Sequence, residues 1–188
     1  MGSSPTPGSR EGGRSYGTIL RDMSLSDQPS NDAPSRLIRD CRFGEGAVVH
    51  PFTNLYGCEI GAGTMIGTFV EVQAGAVIGD LCKVQSHTFV CDGVTVADGV
   101  FIGHGVTFVN DKHPRARGAA GELAGASEWE LLPIRVGENA SIGSGSLILG
   151  GVTIGREAVV GAGAVVTADV PDGGRVAGVP ARALGGQR

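Results

Sequence analysis

The sequence predicts an all-β fold, a solenoid of short parallel strands wound into coils, and three observations predict it. The first is a period of six. Aliphatic or aromatic residues recur at Ile60, Ile66, Val72, Ile78, Val84, Val90, Val96, Ile102 and Phe108 without a slip of phase, and again at Val136, Ile142, Ile148, Ile154, Val160 and Val166. Self-similarity at a fixed period marks repeat architectures, and no helix has a period of six. The second observation is glycine directly after the anchor, at 61, 67, 79, 103, 137, 143, 155 and 161, where a turn needs a permissive backbone. The third is a small or β-branched residue four places beyond the anchor: Thr64, Val70, Ala76, Cys82, Thr88, Val94, Val100 and Val106, then Ala140, Ser146, Val152, Ala158 and Ala164. Each unit then reads as strand, turn and strand. Three units close a triangular coil of about 18 residues, and successive coils stack about 4.8 Å apart by parallel pairing.

The 188 residues give room for one domain with tails. Glycine is abundant, at 33 residues, but without a collagen period and alongside plentiful aliphatics. A formal charge of −4 argues against a nucleic-acid or anionic-membrane surface. No apolar run approaches the ~18 residues of a membrane span, and the N-terminus lacks a signal-peptide core, so a cytoplasmic protein is expected. Cys41, Cys58, Cys82 and Cys91 form no CxxC pair and read as reduced thiols filling space as small hydrophobes.

In chain order, residues 1–35 are rich in Gly, Ser, Pro, Arg and Asp and hold few aliphatics beyond Ile19, Leu20 and Leu25, too few to offset ordering entropy. A flexible tail is expected there. The β-helix domain is expected over 36–166, beginning near Leu37 because Phe43, Val49 and Leu55 extend the ladder backward to a one-residue deletion before Ile60. The period stops after Phe108 and restarts at Val136, which places an inserted loop at 109–135. Long excursions from a regular scaffold are commonly functional, and this one carries the single Trp and the pair Pro114 and Arg115. Residues 167–188 read as a C-terminal extension that leaves the ladder.

An 18-residue coil puts residues 18 apart directly above one another. His87 then lies under Gly105, Ser86 under His104, and Asp92 under Asn110 at the mouth of the loop. The two histidines become near neighbours on consecutive coils, both at corners. An imidazole near its ordinary pKa suits proton abstraction, and glycine-rich corners offer backbone N–H groups to a developing oxyanion. Glu71 falls one coil below Phe89, next to the His87 column, and is a further candidate. His50 and His113 carry no spacing argument and are read as structural.

The units VGENAS, IGSGSL, VTIGRE and VVGAGA resemble the hexapeptide repeat of left-handed parallel β-helix acyltransferases, over roughly residues 40–184. Handedness is implied by that resemblance alone, since parallel crossovers are normally right-handed. Within the superfamily the chain looks closest to nucleotide-sugar amino-sugar N-acetyltransferases. The segment VAGVPAR is similar to the terminal signature of acetyl-coenzyme A users, and FVNDKHPRA to the loop entrance of enzymes that acetylate nucleotide-linked amino sugars. The resemblance implies an acetyl-CoA-dependent N-acetyltransferase acting on a dTDP- or UDP-linked amino deoxy sugar. It implies His87 as first choice and His104 as second choice for the catalytic base, and Asn110, Asp111, Lys112 and Arg115 as acceptor-binding residues with Glu71 behind them. It implies coenzyme contacts at Gly143, Gly161 and Ala162, with Arg175 and Arg182 meeting phosphates. It implies a homotrimer whose loop crosses to the adjacent subunit, and no metal.

O-acetylation of a sugar or antibiotic is the alternative of the same chemistry. A zinc carbonic anhydrase on the same coil needs three histidines, two of them five apart, whereas the spacings here are 37, 17 and 9. A non-catalytic scaffold is the third reading, disfavoured by the loop entrance and the VAGVPAR end.

Overall fold

Each six-residue unit lays down a strand of two to four residues and then turns, so that every third strand falls on the same face of a prism. The structure is a computed structural model describing residues 36–118, 121–125 and 129–185. The tail expected over 1–35 lies outside the described residues. Three sheets of seven, six and eight strands run the length of the stack. We call them faces one, two and three in the order the chain visits them. Face one runs from Arg36–Arg39 through Phe89–Val90 and Thr107–Val109 to Val165–Val166; face two from Arg42–Phe43 to Thr153–Ile154; face three from Val48–Val49 to Arg182–Ala183.

The register follows the 18-residue rule: Phe89 pairs with Thr107 and Met65 with Lys83, all in parallel. The fifteen anchors are all buried, and so are the small residues four places beyond them. Each interior anchor contributes about 1.5–3 kcal/mol by leaving water. The polar members of the inward set are satisfied. Thr64, Thr88 and Ser146 donate to the carbonyls of Gly79, Gly103 and Gly161 at 2.7, 3.0 and 3.0 Å. Glycine after the anchor is a packing requirement: a Cβ on Gly61 would lie 2.3 Å from the backbone of Gly79, one coil up.

The two ends of the solenoid depart from the sequence reading. Leu37, read as the first anchor, is 43% exposed; its neighbour Ile38 faces inward, pairing with Leu55. The first coil is 17 residues long, Arg42 pairing with Glu59, and this shift of one residue turns Leu37 outward. At the other end the ladder continues past Val166. Val170 and Val176 are buried, and Arg175–Ala177 extends face three on Val159–Val160. The carboxylates of Asp169 and Asp172 accept from the N–H groups of Thr153 and Arg156, each 16 residues back, so this last coil is two residues short. The chain then doubles back, Arg182–Ala183 pairing antiparallel with Val176–Ala177, and closes the end of the stack.

The inserted loop is also shorter than the sequence implied. Val109 belongs to the strand Thr107–Val109 and residues 134–136 to the strand Ile134–Val136, so the excursion spans 110–133. Its legs are tied together where Leu132 N–H donates to the Asn110 carbonyl at 3.0 Å and Ile134 N–H to that of Gly93 at 3.1 Å.

Candidate active site

The corner where face three turns into face one gathers His87, His104, Gly143, Gly161 and Ala162 of the predicted groups. One column of this corner is polar. His104 Nδ1 lies 2.8 Å from Ser86 Oγ, one coil below, and the His104 N–H donates to Ser144 Oγ, one coil above, at 3.1 Å. The tautomer in which Nδ1–H donates to Ser86 leaves the Nε2 lone pair of His104 free to take a proton. The stacking of Ser86 under His104 is thus the one the 18-residue rule predicts.

The adjoining column is aromatic in its lower half. Phe52, Phe69 and His87 all sit at positive φ, of 63°, 59° and 63°, and their rings stack at centroid distances of 5.3 and 4.9 Å. Phe52 and Phe69 are 57% and 51% exposed, so this is a surface ladder of rings, with His87 as its last rung. Above His87 the same column is Gly105, Gly145 and Gly163, again at positive φ, and a Cβ on any of them would meet nothing within 4 Å. Open space therefore begins directly over His87 and runs up the corner. Gly143, Gly161 and Ala162 border it. The glycines there are also needed for packing, since a Cβ on Gly143 would lie 2.4 Å from Ala162 N and one on Gly161 2.8 Å from Ala177 Cβ.

The glycine N–H groups do not offer the oxyanion site the sequence suggested. Those of Gly105, Gly145 and Gly163 donate to the carbonyls of Ser86, His104 and Ser144 at 2.9, 2.7 and 2.8 Å. One of the corner groups left open is the N–H of Ser144. At the equivalent position of four other units this N–H is capped by a side chain from the coil above: Asp80 on Ala62, Asp98 on Asp80, Ser144 on His104 and Asp172 on Arg156. Above Ser144 stands Ala162, with no acceptor to give, and the Ser144 N–H has no partner among the described residues.

A second concavity lies at the corner between faces one and two. The excursion encloses a cleft of about 820 Å³ whose lining includes Asn110, Asp111, Arg115 and Trp129. Asn110 Nδ2 donates to the Asp92 carbonyl at 3.0 Å, the stacking the sequence predicts, and Asp111 Oδ1 accepts from the His113 N–H at 2.7 Å. His113 and Arg117, to which the sequence assigned no role, also line the cleft. Nothing in the repeat register points to them, because the excursion is outside it. Lys112 does not line the cleft and lies toward Gly151 of the next coil, its Nζ 3.7 Å from where a Cβ there would sit. Glu71 is engaged elsewhere, accepting from Tyr56 OH at 3.5 Å and Gln73 Nε2 at 3.3 Å. Burial and the Glu71 charge push the Tyr56 phenol up. Arg182 pairs opposite Ala177 beside the histidine corner, while Arg175 stands at the far end of that strand; both are exposed. Among the described residues no three His, Cys, Asp or Glu side chains gather to hold a metal ion.

Residues 57–91 match the family described as Bacterial transferase hexapeptide (six repeats), and residues 133–168 match Hexapeptide repeat of succinyl-transferase, one on either side of the excursion. Both stretches are thus similar to the hexapeptide repeat of bacterial acyltransferases. The chain's fold is that of a left-handed parallel β-helix of hexapeptide repeats. Among curated relatives, nodulation protein L of Rhizobium meliloti is 58% identical over 53 residues, 28% of this chain and 29% of the relative. The 2,3,4,5-tetrahydropyridine-2,6-dicarboxylate N-acetyltransferase of Staphylococcus aureus is 37% identical over 68 residues, 36% of this chain and 28% of the relative. Of solved structures, PerB from Caulobacter crescentus, in complex with CoA and GDP-perosamine, superposes with a TM-score of 0.54 at 29% identity, over 74% of this chain and 54% of that one. This hexapeptide-repeat chain thus spans under a third of the curated relatives it matches and about half of PerB. The Caulobacter enzyme, a GDP-perosamine N-acetyltransferase, has also been solved with one histidine replaced by alanine, still in complex with both ligands.

Proposed function

We propose that the protein is an acetyl-CoA-dependent N-acetyltransferase acting on the amino group of a nucleotide-linked amino deoxy sugar. The observation that carries this reading is the coincidence, at one corner, of a serine-oriented His104, an open glycine column above His87, and the uncapped Ser144 N–H. The CoA and GDP-perosamine complexes of PerB support both substrate classes. The thioester end of the donor lies in the glycine column and its phosphates meet Arg182 at the closed end of the stack, with Arg175 farther off. The acceptor nitrogen attacks the thioester carbonyl carbon while His104 Nε2 takes its proton. Ser144 N–H donates to the oxyanion, and collapse expels the coenzyme thiolate, which recovers the proton. His87, packed at a 40° tilt against Phe69, forms the floor under the reacting atoms. This reverses the sequence order of preference, because the His104 ring is held by a hydrogen bond to Ser86 Oγ and no hydrogen bond holds the His87 ring among the described residues.

Within one chain the cleft at Asn110, Asp111 and Arg115 stands a full strand of face one away from the histidines, about 10 Å along Thr107–Val109 alone. A homotrimer in which each cleft faces the next subunit's histidine corner brings the two together, and the exposed Phe101 and Leu147 flanking that corner support such an interface. The cytoplasm, where nucleotide sugars and acetyl-CoA are both available, is the compartment this reading requires. The decisive experiment is acetyl transfer followed by thiol release across dTDP-, UDP- and GDP-linked amino sugars, with matched hydroxy sugars beside them. Release with an amino sugar and not with its hydroxy counterpart is expected. Release with the hydroxy sugars alone makes the protein an O-acetyltransferase, and no release with any acceptor in the presence of bound acetyl-CoA overturns the proposed acceptor class.

A further inference from the structure

Four cysteines were expected to be inert, yet two of them are paired in space. Arg42 pairs with Glu59 across the first two coils, so Cys41 and Cys58, each one residue earlier, are direct neighbours on that ladder. Adjacent strands lie about 4.8 Å apart, inside the Cα separation that disulfides span. Both side chains turn the same way, and their sulfurs are 3.5 Å apart. Cys58 is buried, while Cys41 is only partly so, leaving an approach from solvent to one thiol of the pair. The other two cysteines differ: Cys82 donates to the Ala97 carbonyl and Cys91 to that of Phe108, and both are buried.

We propose that Cys41 and Cys58 form a thiol-modification site that takes a low-molecular-weight disulfide and closes into a reversible bridge stapling the end coil to the second. The electrostatics agree with that division of labour. The Cys58 S–H beside it lowers the Cys41 thiol to about 6, whereas the Cys41 charge and burial raise Cys58. Burial raises Cys82 as well, and Cys91 to about 11, so neither competes as a thiolate. With glutathione disulfide, the Cys41 thiolate attacks one sulfur and expels a glutathione thiolate, leaving a mixed disulfide. Cys58, no longer facing an anion, gives its proton to water and attacks Cys41 Sγ, expelling the second glutathione thiolate. Two protein thiols are oxidised and one glutathione disulfide is reduced to two thiols. The bridge closes residues 17 apart at the end of the solenoid, where a stack frays first.

The test is intact-mass and peptide analysis of the full chain after incubation with glutathione disulfide near pH 6.5. Expected are a mass lower by two hydrogens, a linked pair of peptides carrying Cys41 and Cys58, reversal by a thiol reductant, and a Tm raised by about 3 °C or more. Cys58→Ala is expected to stop at the mixed disulfide and to reach it more slowly at this pH, because the donor that stabilises the Cys41 thiolate is gone. Cys41→Ser is expected to leave Cys58 unmodified. No reaction, a mixed disulfide that persists in the unsubstituted chain, or a bridge through Cys82 or Cys91 overturns the proposal. A bridge that leaves Tm unchanged overturns the stapling.

Discussion

The corner N–H of Ser144 lacks the capping side chain that several other corners carry. Where Asp80, Asp98 and Asp172 cap a corner N–H from above, Ala162 does not. Ala162→Asp should restore the cap. The expected outcome is a protein with unchanged or higher Tm whose acetyl transfer falls by about 10²-fold or more, the usual cost of losing an oxyanion donor. Transfer that survives with the cap in place removes Ser144 N–H from the mechanism. The histidines separate by kinetics. His104→Ala should lower kcat by about 10²- to 10⁴-fold and abolish the ascending limb of the pH–rate profile, while coenzyme affinity stays within about threefold. His87→Ala should act mainly on the acceptor KM. If His113→Ala gives the larger loss in kcat, the proton is taken in the cleft. If none of the three changes kcat beyond threefold, an already neutral amine is simply positioned for attack.

At the scale of one coil, the repeat explains both what the sequence disclosed and what it concealed. The anchors and their partners four places on were legible because six-residue spacing is enforced by burial at every turn, from Ile60 to Val166. The ends were not, because a coil of 17 or 16 residues breaks the phase that made the rest visible, and Leu37 and Val176 were assigned to the wrong side of it. Burying a carboxylate at an anchor tests the coil itself. Ile102→Asp puts a charge at a fully buried position between Ile142 and Val84, with no cation to meet it. Loss of cooperative unfolding at 25 °C, read by circular dichroism, is the expected result, because the penalty of several kcal/mol is of the order of the total stability of such a domain. A cooperative transition lowered by less than about 1 kcal/mol would mean the interior is wetter than its packing implies.

For the molecule as a whole, the stacking rule located the pair Ser86 and His104 and the contact of Asn110 with Asp92, since both lie on the regular ladder. It did not locate His113, Arg117 or the cleft they line, because side chains on an excursion answer to their own turns and not to the period. It places Phe69 under His87 but misses the lower rung of the aromatic ladder, because the one-residue deletion hides Phe52 from the 18-residue count. The separation of cleft from corner makes the assembly state decisive. Sedimentation at micromolar concentration is expected to give three times the 19.0 kDa mass of the chain. A monomer there would leave each site without its second half.

The excursion leaves and rejoins the scaffold in phase. Val94 pairs with Ile134, 40 positions on, where 18 separate partners such as Phe89 and Thr107, a difference of 22 residues. A solenoid that admits a whole segment without altering the pairing on either side is a socket, and its contents can be exchanged. Removing 22 residues from the span 110–133 and joining the ends through a glycine-containing corner should yield a protein that still melts cooperatively and still binds acetyl-CoA. Its preference among acceptors should be gone. The same socket should then receive the excursion of another hexapeptide-repeat protein, with acceptor choice travelling with the segment while the donor site stays behind.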